Sequence, residues 1–141
     1  MDRAELEQLD TAMLSAWSNH DLDAFLGNCS DDIVWNDPAQ PEPLKGKKAA
    51  AEFFQTWMTA FPDFEATMVN RVVGDDSVAV EVVFGGTNTG PMDMGGNEIP
   101  ATGKAVKTMG SYFAKVSDGK LTELSTYPDL AGMMMQLGLM G

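Results

Sequence analysis

The sequence predicts an α+β fold in which helices cover one face of a long antiparallel sheet. Apolar residues at helical spacing dominate up to residue 61, and alternating strand patterns dominate residues 64 to 127. No repeat, linker or change of composition divides the chain. A chain of 141 residues can bury a substantial core. We therefore expect a single domain over residues 1–141.

Two helices open the chain. Asp2 and Glu5 form a capping-box pattern, and the apolar stripe that follows extends the first helix to about Ser18. Asp21 is placed to cap a second, shorter helix over Leu22 to Leu26.

The next segment predicts a strand, an irregular loop and a third helix. The strand covers Ile33 to Asn36 and stops at Asp37, because Pro38 lacks the backbone donor that a ladder needs. Prolines between Ala39 and Pro43 indicate the loop. The helix then carries an aromatic and apolar stripe that ends at Phe61. We expect this stripe to pack on the sheet.

Alternation of apolar and polar residues predicts the sheet. Gly74-Asp75-Asp76 and Asp118-Gly119 supply tight turns between strands. The four predicted long strands are Phe64 to Val73, Ser77 to Phe84, about Lys104 to Val116, and Leu121 to Tyr127.

A long segment from Thr89 to Gly103 shows no helix or strand pattern. Structureless loops of this length are commonly functional. Glycines and prolines, with Met92 and Ile99 between them, favour a mobile lid that places apolar side chains over the mouth of a cavity.

The C-terminal stretch carries the first candidate for chemistry. Pro128 ends the last strand, Asp129 follows, and apolar residues at helical spacing predict a short helix with Gly138 at its C-cap. Asp129 suits the N-cap of this helix, but a carboxyl group beside apolar side chains can also have a raised pKa. The residues leave both possibilities open.

Composition narrows the classes of partner. Acidic residues outnumber basic ones 21 to 9, and a formal net charge of −12 disfavours nucleic acid and anionic membranes. One cysteine and one histidine exclude an internal disulfide and a Cys/His metal site. With no basic leader and no run of about 18 apolar residues, we expect a cytoplasmic protein. No dinucleotide or phosphate-binding motif occurs, so no cofactor is expected.

The C-terminal stretch also matches a known signature. Gly119-Lys120-Leu121, Glu123, Tyr127, Asp129 and Gln136-Leu137-Gly138-Leu139 resemble, in register, the C-terminal signature of the SnoaL-like polyketide cyclases of the nuclear-transport-factor-2-like superfamily. Further motifs extend the resemblance over nearly the whole chain; they are Val34-Trp35, Pro43-Leu44-Lys45-Gly46, Gly86-Thr87, Thr89-Gly90-Pro91 and Pro100-Ala101-Thr102-Gly103-Lys104.

The resemblance implies a cone, in which a strongly curved sheet is closed by the N-terminal helices around an internal apolar cavity. It also implies that Asp129 is the catalytic acid/base residue, because it matches the aspartate that transfers the proton in that family. Strand parity then places Tyr127, Ser125 and Glu123 on the face of Asp129, with Met133 one helical turn further. In this arrangement apolar neighbours raise the pKa of Asp129.

Asp37 is the second candidate. An aspartate before proline commonly forms a turn. The strand that ends in Asp-Pro also resembles ketosteroid isomerase, in which the matching aspartate shuttles a proton. Met13 and Ser111 stand where that enzyme has its oxyanion donors, so steroid isomerisation of that type is disfavoured. Neither Arg3 nor Arg71 begins the Arg-x-Asp pair of the limonene-epoxide-hydrolase type, so that hydrolysis is disfavoured too.

Asn36 and Asn88 stand where many relatives carry histidine. An amide can hydrogen-bond an enolate oxygen but cannot titrate, so proton transfer falls to carboxylates. Both asparagines can instead hold strand ends and loops. The residues that we expect to bind substrate are Trp35, Asn36, Trp57, Asn88, Met109, Ser125, Tyr127 and Met133.

Two functions of different classes follow. The first is a cofactor-independent enzyme that performs acid/base chemistry on a small apolar, carbonyl-activated substrate, as in the aldol ring closure for which the family is best known. The second is a non-catalytic binder of a small apolar molecule. Because two of the predicted strands carry apolar residues on both faces, we also expect a homodimer through the outer face of the sheet.

Overall fold

The computed structural model describes residues 2–94 and 96–140 and confirms the α+β prediction. Its helices and long strands occur in the order that the sequence predicts, and three short strands occur in addition. The elements are α1 Arg3–Ser18, α2 Leu22–Asn28, β1 Cys29–Asn36, β2 Leu44–Lys45, α3 Gly46–Ala60, β3 Glu65–Val73, β4 Ser77–Thr87, β5 Met92–Met94, β6 Asn97–Ile99, β7 Ala105–Ser117, β8 Lys120–Pro128 and α4 Leu130–Gln136.

Six strands form one curved sheet in the order β2-β1-β8-β7-β4-β3. All neighbours are antiparallel except β1 and β8, which are parallel. The long hairpins β3–β4 and β7–β8 follow the two turns that the sequence predicts. β1 joins the sheet beside β8, although the two are distant in sequence, and this pairing brings Trp35 next to Leu124.

Helices α1, α2 and α3 cover the concave face of the sheet, as the predicted cone requires. An aromatic cluster joins them to it. Trp17 of α1 lies at its centre, with ring centroids 4.6 to 5.7 Å from those of Phe25, Trp35, Phe54 and Phe64. Aromatic pairs at such distances add to the stabilisation from burial alone.

A buried ion pair fastens α1 to the sheet at a second point. Arg71 of β3 donates from Nη2 and Nε to Asp10 Oδ2 of α1, at 2.6 and 2.7 Å. The Tyr112 hydroxyl of β7 donates to the other oxygen of Asp10. Asp10 is only 4 % exposed, so both partners are needed to compensate its lost hydration.

The prediction that the segment Thr89 to Gly103 lacks regular structure is wrong. Strands β5 and β6 form a short hairpin inside it, and Met92 of β5 is buried against α3. Gly95, which also belongs to this segment, lies outside the described residues. That the segment moves as a lid stays a prediction.

No helix in the described parts of the chain combines the length and the apolarity that a membrane span requires.

Candidate functional site

An internal apolar cavity of about 90 Å³ lies between the concave face of the sheet and helices α1 and α3. Among the described residues that line it, Asp37 is the only carboxylate, and no lysine, arginine or histidine takes part. The wall is rich in aromatic rings; these belong to Trp17, Trp35, Trp57, Phe64, Phe84 and Tyr112.

Asp37 reaches this wall because β1 ends just before it and Pro38 does not continue the ladder. Asp37 is 8 % exposed. Its Oδ1 accepts the backbone N–H of Ala39 at 2.8 Å, and its Oδ2 accepts the Thr126 hydroxyl at 2.5 Å. Burial raises the pKa of Asp37 above its usual value, and the hydrogen bonds from Thr126 and Ala39 oppose part of that rise.

Trp35 fixes the direction of the hydrogen bond between Thr126 and Asp37. An indole N–H only donates, and Trp35 Nε1 lies 2.9 Å from Thr126 Oγ1. Thr126 therefore accepts from Trp35 and has its single proton available for Asp37. The other acceptor nearby, the carbonyl oxygen of Asn36, is more distant at 3.5 Å. A directed chain from Trp35 through Thr126 thus holds the Asp37 carboxyl group at the cavity wall.

We expect Thr126→Val to raise the pKa of Asp37 further, because valine removes the hydroxyl that stabilises the charged carboxylate. A group whose pKa is raised by folding destabilises the folded state only above its unfolded pKa; the cost grows until the pH passes the folded pKa and is constant above it. The valine variant should therefore lose more stability at neutral than at acidic pH. A ¹³C NMR titration of the Asp37 carboxyl, with melting curves at two pH values, measures both effects.

Thr126→Ser is the matched control for this prediction, since it keeps the hydroxyl and should leave the titration of Asp37 close to that of the wild type. An unchanged pKa in the valine variant would show that Thr126 does not stabilise the carboxylate.

Asp129, by contrast, is exposed at the start of α4 and caps that helix. Its Oδ1 accepts the backbone N–H of Gly132 at 2.9 Å, and its Oδ2 accepts the Thr108 hydroxyl at 2.8 Å. These two hydrogen bonds lower the pKa of Asp129, so the prediction of a raised pKa is wrong. A Cβ atom at position 132 would lie 2.1 Å from Asp129 Oδ2, so a glycine there leaves room for the cap. Met133 does not desolvate the carboxyl group as we expected, because Asp129 is exposed whereas the Met133 side chain is buried in the core.

Asp129→Ala should lower the melting temperature of the protein, because it removes the acceptor for Gly132. The pKa of Asp129 is lowered by folding, so its contribution is present above the unfolded pKa and is lost as the pH falls through the folded pKa. The difference in melting temperature between wild type and variant should therefore shrink in acid. Calorimetry at two pH values tests this, and a difference that grows in acid would contradict it.

The predicted binding row that contains Ser125 and Tyr127 lies on the outer face of the sheet. Leu124, Thr126 and Pro128 of β8 line the cavity instead. Strand parity groups Ser125 and Tyr127 correctly on one face, but this face is opposite the cavity, and substrate contact by them stays a prediction. The exposed ring of Tyr127 packs on that of Phe113, not on the cavity.

Asn36 and Met109 belong to the same outer face. Asn36 Nδ2 donates to Ser125 Oγ at 3.1 Å and to Glu123 Oε1 at 3.3 Å. Met109 is exposed to solvent. Neither side chain lines the cavity, and substrate contact by them stays a prediction. In β1 this follows from strand geometry, because adjacent residues point to opposite faces and Trp35 takes the inward position.

Asn88 is fully buried and braces the segment that holds β5 and β6. Its Nδ2 donates to the carbonyl oxygens of Ala60 and Gly90, and its Oδ1 accepts from the backbone N–H and hydroxyl of Thr102. With its side chain bonded in this way and outside the cavity wall, Asn88 holds a loop, which is the structural alternative that the sequence left open.

Trp35 and Trp57 line the cavity, as expected from the sequence. Met133 lines a second, smaller cavity of about 30 Å³, which Trp57 also borders. Substrate contact by these three residues stays a prediction.

Sequence reasoning missed the residues that support Asp37 and the cavity wall. Thr126 gave no signal, because a threonine in a strand is common and its importance depends on the parallel pairing of β1 with β8. Asp10, Arg71 and Tyr112 are far apart in sequence. Only the polar position of Asp10 within the apolar stripe of α1 could have drawn attention to it.

No group of three or more His, Cys, Asp or Glu side chains within residues 2–94 and 96–140 is arranged to hold a metal ion.

A family model described as SnoaL-like polyketide cyclase matches residues 7–137. None of the curated proteins matches the chain in sequence. Two solved structures share about a quarter of its residues. TsrD from Streptomyces laurentii is 26% identical with a TM-score of 0.84, and the match covers 99% of this chain and 99% of that chain. IdmH from Streptomyces antibioticus, a candidate polyketide cyclase, is 25% identical with a TM-score of 0.78, and the match covers 94% of this chain and 97% of that chain.

A more distant structure shares the fold. It is a protein from Catenulispora acidiphila with a ketosteroid isomerase-like fold, solved in complex with trimethylamine. It is 18% identical with a TM-score of 0.76, and the match covers 93% of this chain and 92% of that chain.

Proposed function

Since the chain belongs to the SnoaL-like polyketide cyclase family, we propose that it is a cofactor-independent acid/base enzyme for a small carbonyl-activated substrate. Asp37 is the residue that moves the proton. It removes a proton from the carbon next to the carbonyl group, and the electron pair of that C–H bond passes to the carbonyl oxygen. The protonated Asp37 then returns the proton to the product, which restores the carboxylate.

The observation that carries this proposal is that Asp37, the only carboxylate among the described lining residues, borders a cavity whose wall is mainly apolar. A carboxyl group whose pKa lies nearer neutrality can both accept and donate a proton within one turnover. Burial supplies that shift for Asp37. Asp129, the candidate that the family signature favours, is exposed and has a lowered pKa, so it suits this role less well.

The size of the cavity restricts the substrate. The cavity volume of about 90 Å³ is below the roughly 300–1,000 Å³ of sites for drug-sized ligands. In this form the site therefore accepts a compact carbonyl compound. Ring closure and isomerisation begin with removal of this proton, whereas retro-aldol cleavage removes a hydroxyl proton first and ends with return of a proton to the same carbon. The proposal covers the proton transfer at that carbon, which all three reactions include.

Exchange of the protons next to the carbonyl group into deuterated water tests this step without knowledge of the product. Small ketones such as butanone and cyclopentanone are incubated with the protein, and loss of their α-proton signals is followed by NMR. The proposal expects exchange faster than in protein-free buffer. No acceleration with any compact ketone at any pH across neutrality would contradict it.

A second candidate function is non-catalytic binding of a small amine. Aromatic rings and a carboxylate without a positively charged neighbour together suit an alkylammonium ion, and six rings line the cavity with Asp37. The Catenulispora acidiphila protein of the same fold was solved with trimethylamine, which is such a compound.

The pH dependence of binding separates the two candidates. Tetramethylammonium pairs its charge with the ionised Asp37, so its affinity rises as the pH rises through the pKa of Asp37, whereas a neutral ketone has no charge to pair and its affinity should not rise in this way. Tyr112 is the other titratable group on the wall, and burial and Asp10 raise its pKa, so it stays neutral. Strong tetramethylammonium binding without ketone exchange would favour the binder.

We also propose that two copies of the chain associate through the outer face of the sheet. Exposed apolar side chains from β3, β7 and β8 lie on that face; they include Val72, Met109, Phe113 and Tyr127. A monomeric mass at micromolar concentration, measured by light scattering, would contradict the dimer.

Phe113→Glu should weaken this dimer by more than about tenfold, because a buried unpaired carboxylate loses its hydration. Phe113→Leu, which keeps an apolar side chain, is the matched control. Equal association of both variants, measured by analytical ultracentrifugation, would place the interface elsewhere.

A further inference from the structure

Two of the cavities that α3 borders adjoin at Trp57, which is the one described residue that lines both. The inner chamber is the cavity of about 90 Å³ that contains Asp37. The outer chamber, of about 30 Å³, is bounded by Met92 of β5 and by Leu130 and Met133 of α4. The indole ring of Trp57 is thus the partition between the two chambers.

Trp35 and Trp57, two of the three tryptophans on the inner wall, are held differently. Trp35 is buried, and its indole N–H is bonded to Thr126. Trp57 is only partly buried, and its N–H takes part in none of the hydrogen bonds among the described residues. Its ring packs on neighbours such as Phe61, at 6.0 Å, and Phe84, at 5.9 Å. Ring packing restrains a side chain, but no hydrogen bond ties the Trp57 ring to one orientation.

The wall of the outer chamber is formed by α3, by β5 and α4, and by Ala39 in the irregular loop after β1. α4 is a short helix that rests mainly on β7, where Gln136 bonds the backbone of Lys107 through both its amide atoms. A ligand held beside Asp37 that extends toward α4 therefore meets Trp57 where the two chambers adjoin.

We propose that Trp57 determines the length of the molecule that can reach Asp37. With its ring in place, the inner chamber accepts only a compact ligand. With the ring removed or turned away, the two chambers join into one elongated space from Asp37 to α4. That the ligand is a carbonyl compound rests on the proposed function. The limit on the length of the ligand depends on the cavity alone.

A homologous series of alkan-2-ones tests this proposal by binding rather than by turnover. The probes share one carbonyl head and differ in chain length, and affinities come from NMR titrations of the folded protein. Each buried methylene should raise affinity by about fourfold while the chain fits. In the wild type we expect this gain to stop at a short chain. In Trp57→Ala it should continue for several more carbons.

Two further variants complete the test. Trp57→Phe keeps an aromatic ring in the same packing and should move the limit by an intermediate amount, which covers the case in which Trp57→Ala does not fold. Leu130→Ala enlarges only the outer chamber, does not remove a ring that packs on Trp57, and should leave the limit unchanged. The proposal is overturned by a wild type without a limit, by the same limit in the Trp57 variants, or by a shift with Leu130→Ala.

The outcome is independent of the proposed chemistry. A limit that moves in the Trp57 variants, without exchange of α-protons in any of them, would support the partition and contradict the enzyme. If α-proton exchange depends on Asp37 but the limit on chain length is the same in the Trp57 variants as in the wild type, the enzyme would be supported and the partition contradicted.

Discussion

Replacement of Asp37 by asparagine is expected to reduce turnover by about 10²–10⁴-fold, the range usual for loss of a general acid/base. The amide cannot take up the proton that the reaction releases. The measured quantity is the rate of α-proton exchange in a compact ketone. Once the true substrate is known, the rate of the true reaction replaces it.

The structure also predicts a small change in folding for this variant. Both oxygens of Asp37 accept hydrogen bonds, from Ala39 and from Thr126. Asparagine has one acceptor oxygen, so its amide nitrogen faces one of these donors and that bond is lost. Against this loss, the variant no longer places a charge in the apolar wall, where burial raises the pKa of Asp37. We therefore expect opposing effects on stability, measured by thermal melting.

Asp129→Asn is the informative comparison, because it keeps an N-cap acceptor and removes the other candidate carboxylate. Exchange should stay near the wild-type rate in this variant. If Asp129→Asn loses exchange and Asp37→Asn retains it, the proton-transfer role belongs to Asp129, as the family signature implies. If both retain it, neither carboxylate is the base.

The sequence predicted the fold more completely than the site. Helices α1 and α3 carry long apolar stripes, and the hairpins β3–β4 and β7–β8 have distinct turn signals, so local patterns were sufficient for them. The parallel pairing of β1 with β8 joins distant segments and leaves no local pattern. The hairpin β5–β6 was missed because its strands contain only three residues each and are flanked by glycine and proline.

The choice between Asp37 and Asp129 shows where sequence reasoning ends. Each aspartate follows a strand and is next to a proline, and each suits both a turn and a catalytic role. What separates them is whether each carboxyl group faces the cavity. That depends on the inward position of Trp35 in β1 and on the free N–H of Gly132 in α4, which draws Asp129 outward. Spacing along the chain does not encode these directions at strand ends.

The largest effect on stability is expected from Arg71→Met. This change removes the cation that compensates the buried carboxylate of Asp10, while methionine keeps much of the side-chain volume. Loss of one partner from a buried pair typically costs about 3–5 kcal/mol, because the other charge is left without compensation. The Asp10 side chain is 1% exposed, and the hydrogen bond from Tyr112 alone does not neutralise it. Denaturation in urea measures the loss.

Two comparisons make this prediction specific. Arg3→Met breaks the exposed pair with Glu7 and should change the free energy of unfolding by less than about 1 kcal/mol. The double variant Asp10→Asn with Arg71→Met leaves no charge to compensate, and its amide oxygen still accepts the Tyr112 hydroxyl, so it should recover most of the lost stability. If the double variant is as unstable as Arg71→Met, the loss comes from the packing of Arg71 on α1. If Arg71→Met is as stable as Arg3→Met, the pair does not fasten α1 to the sheet.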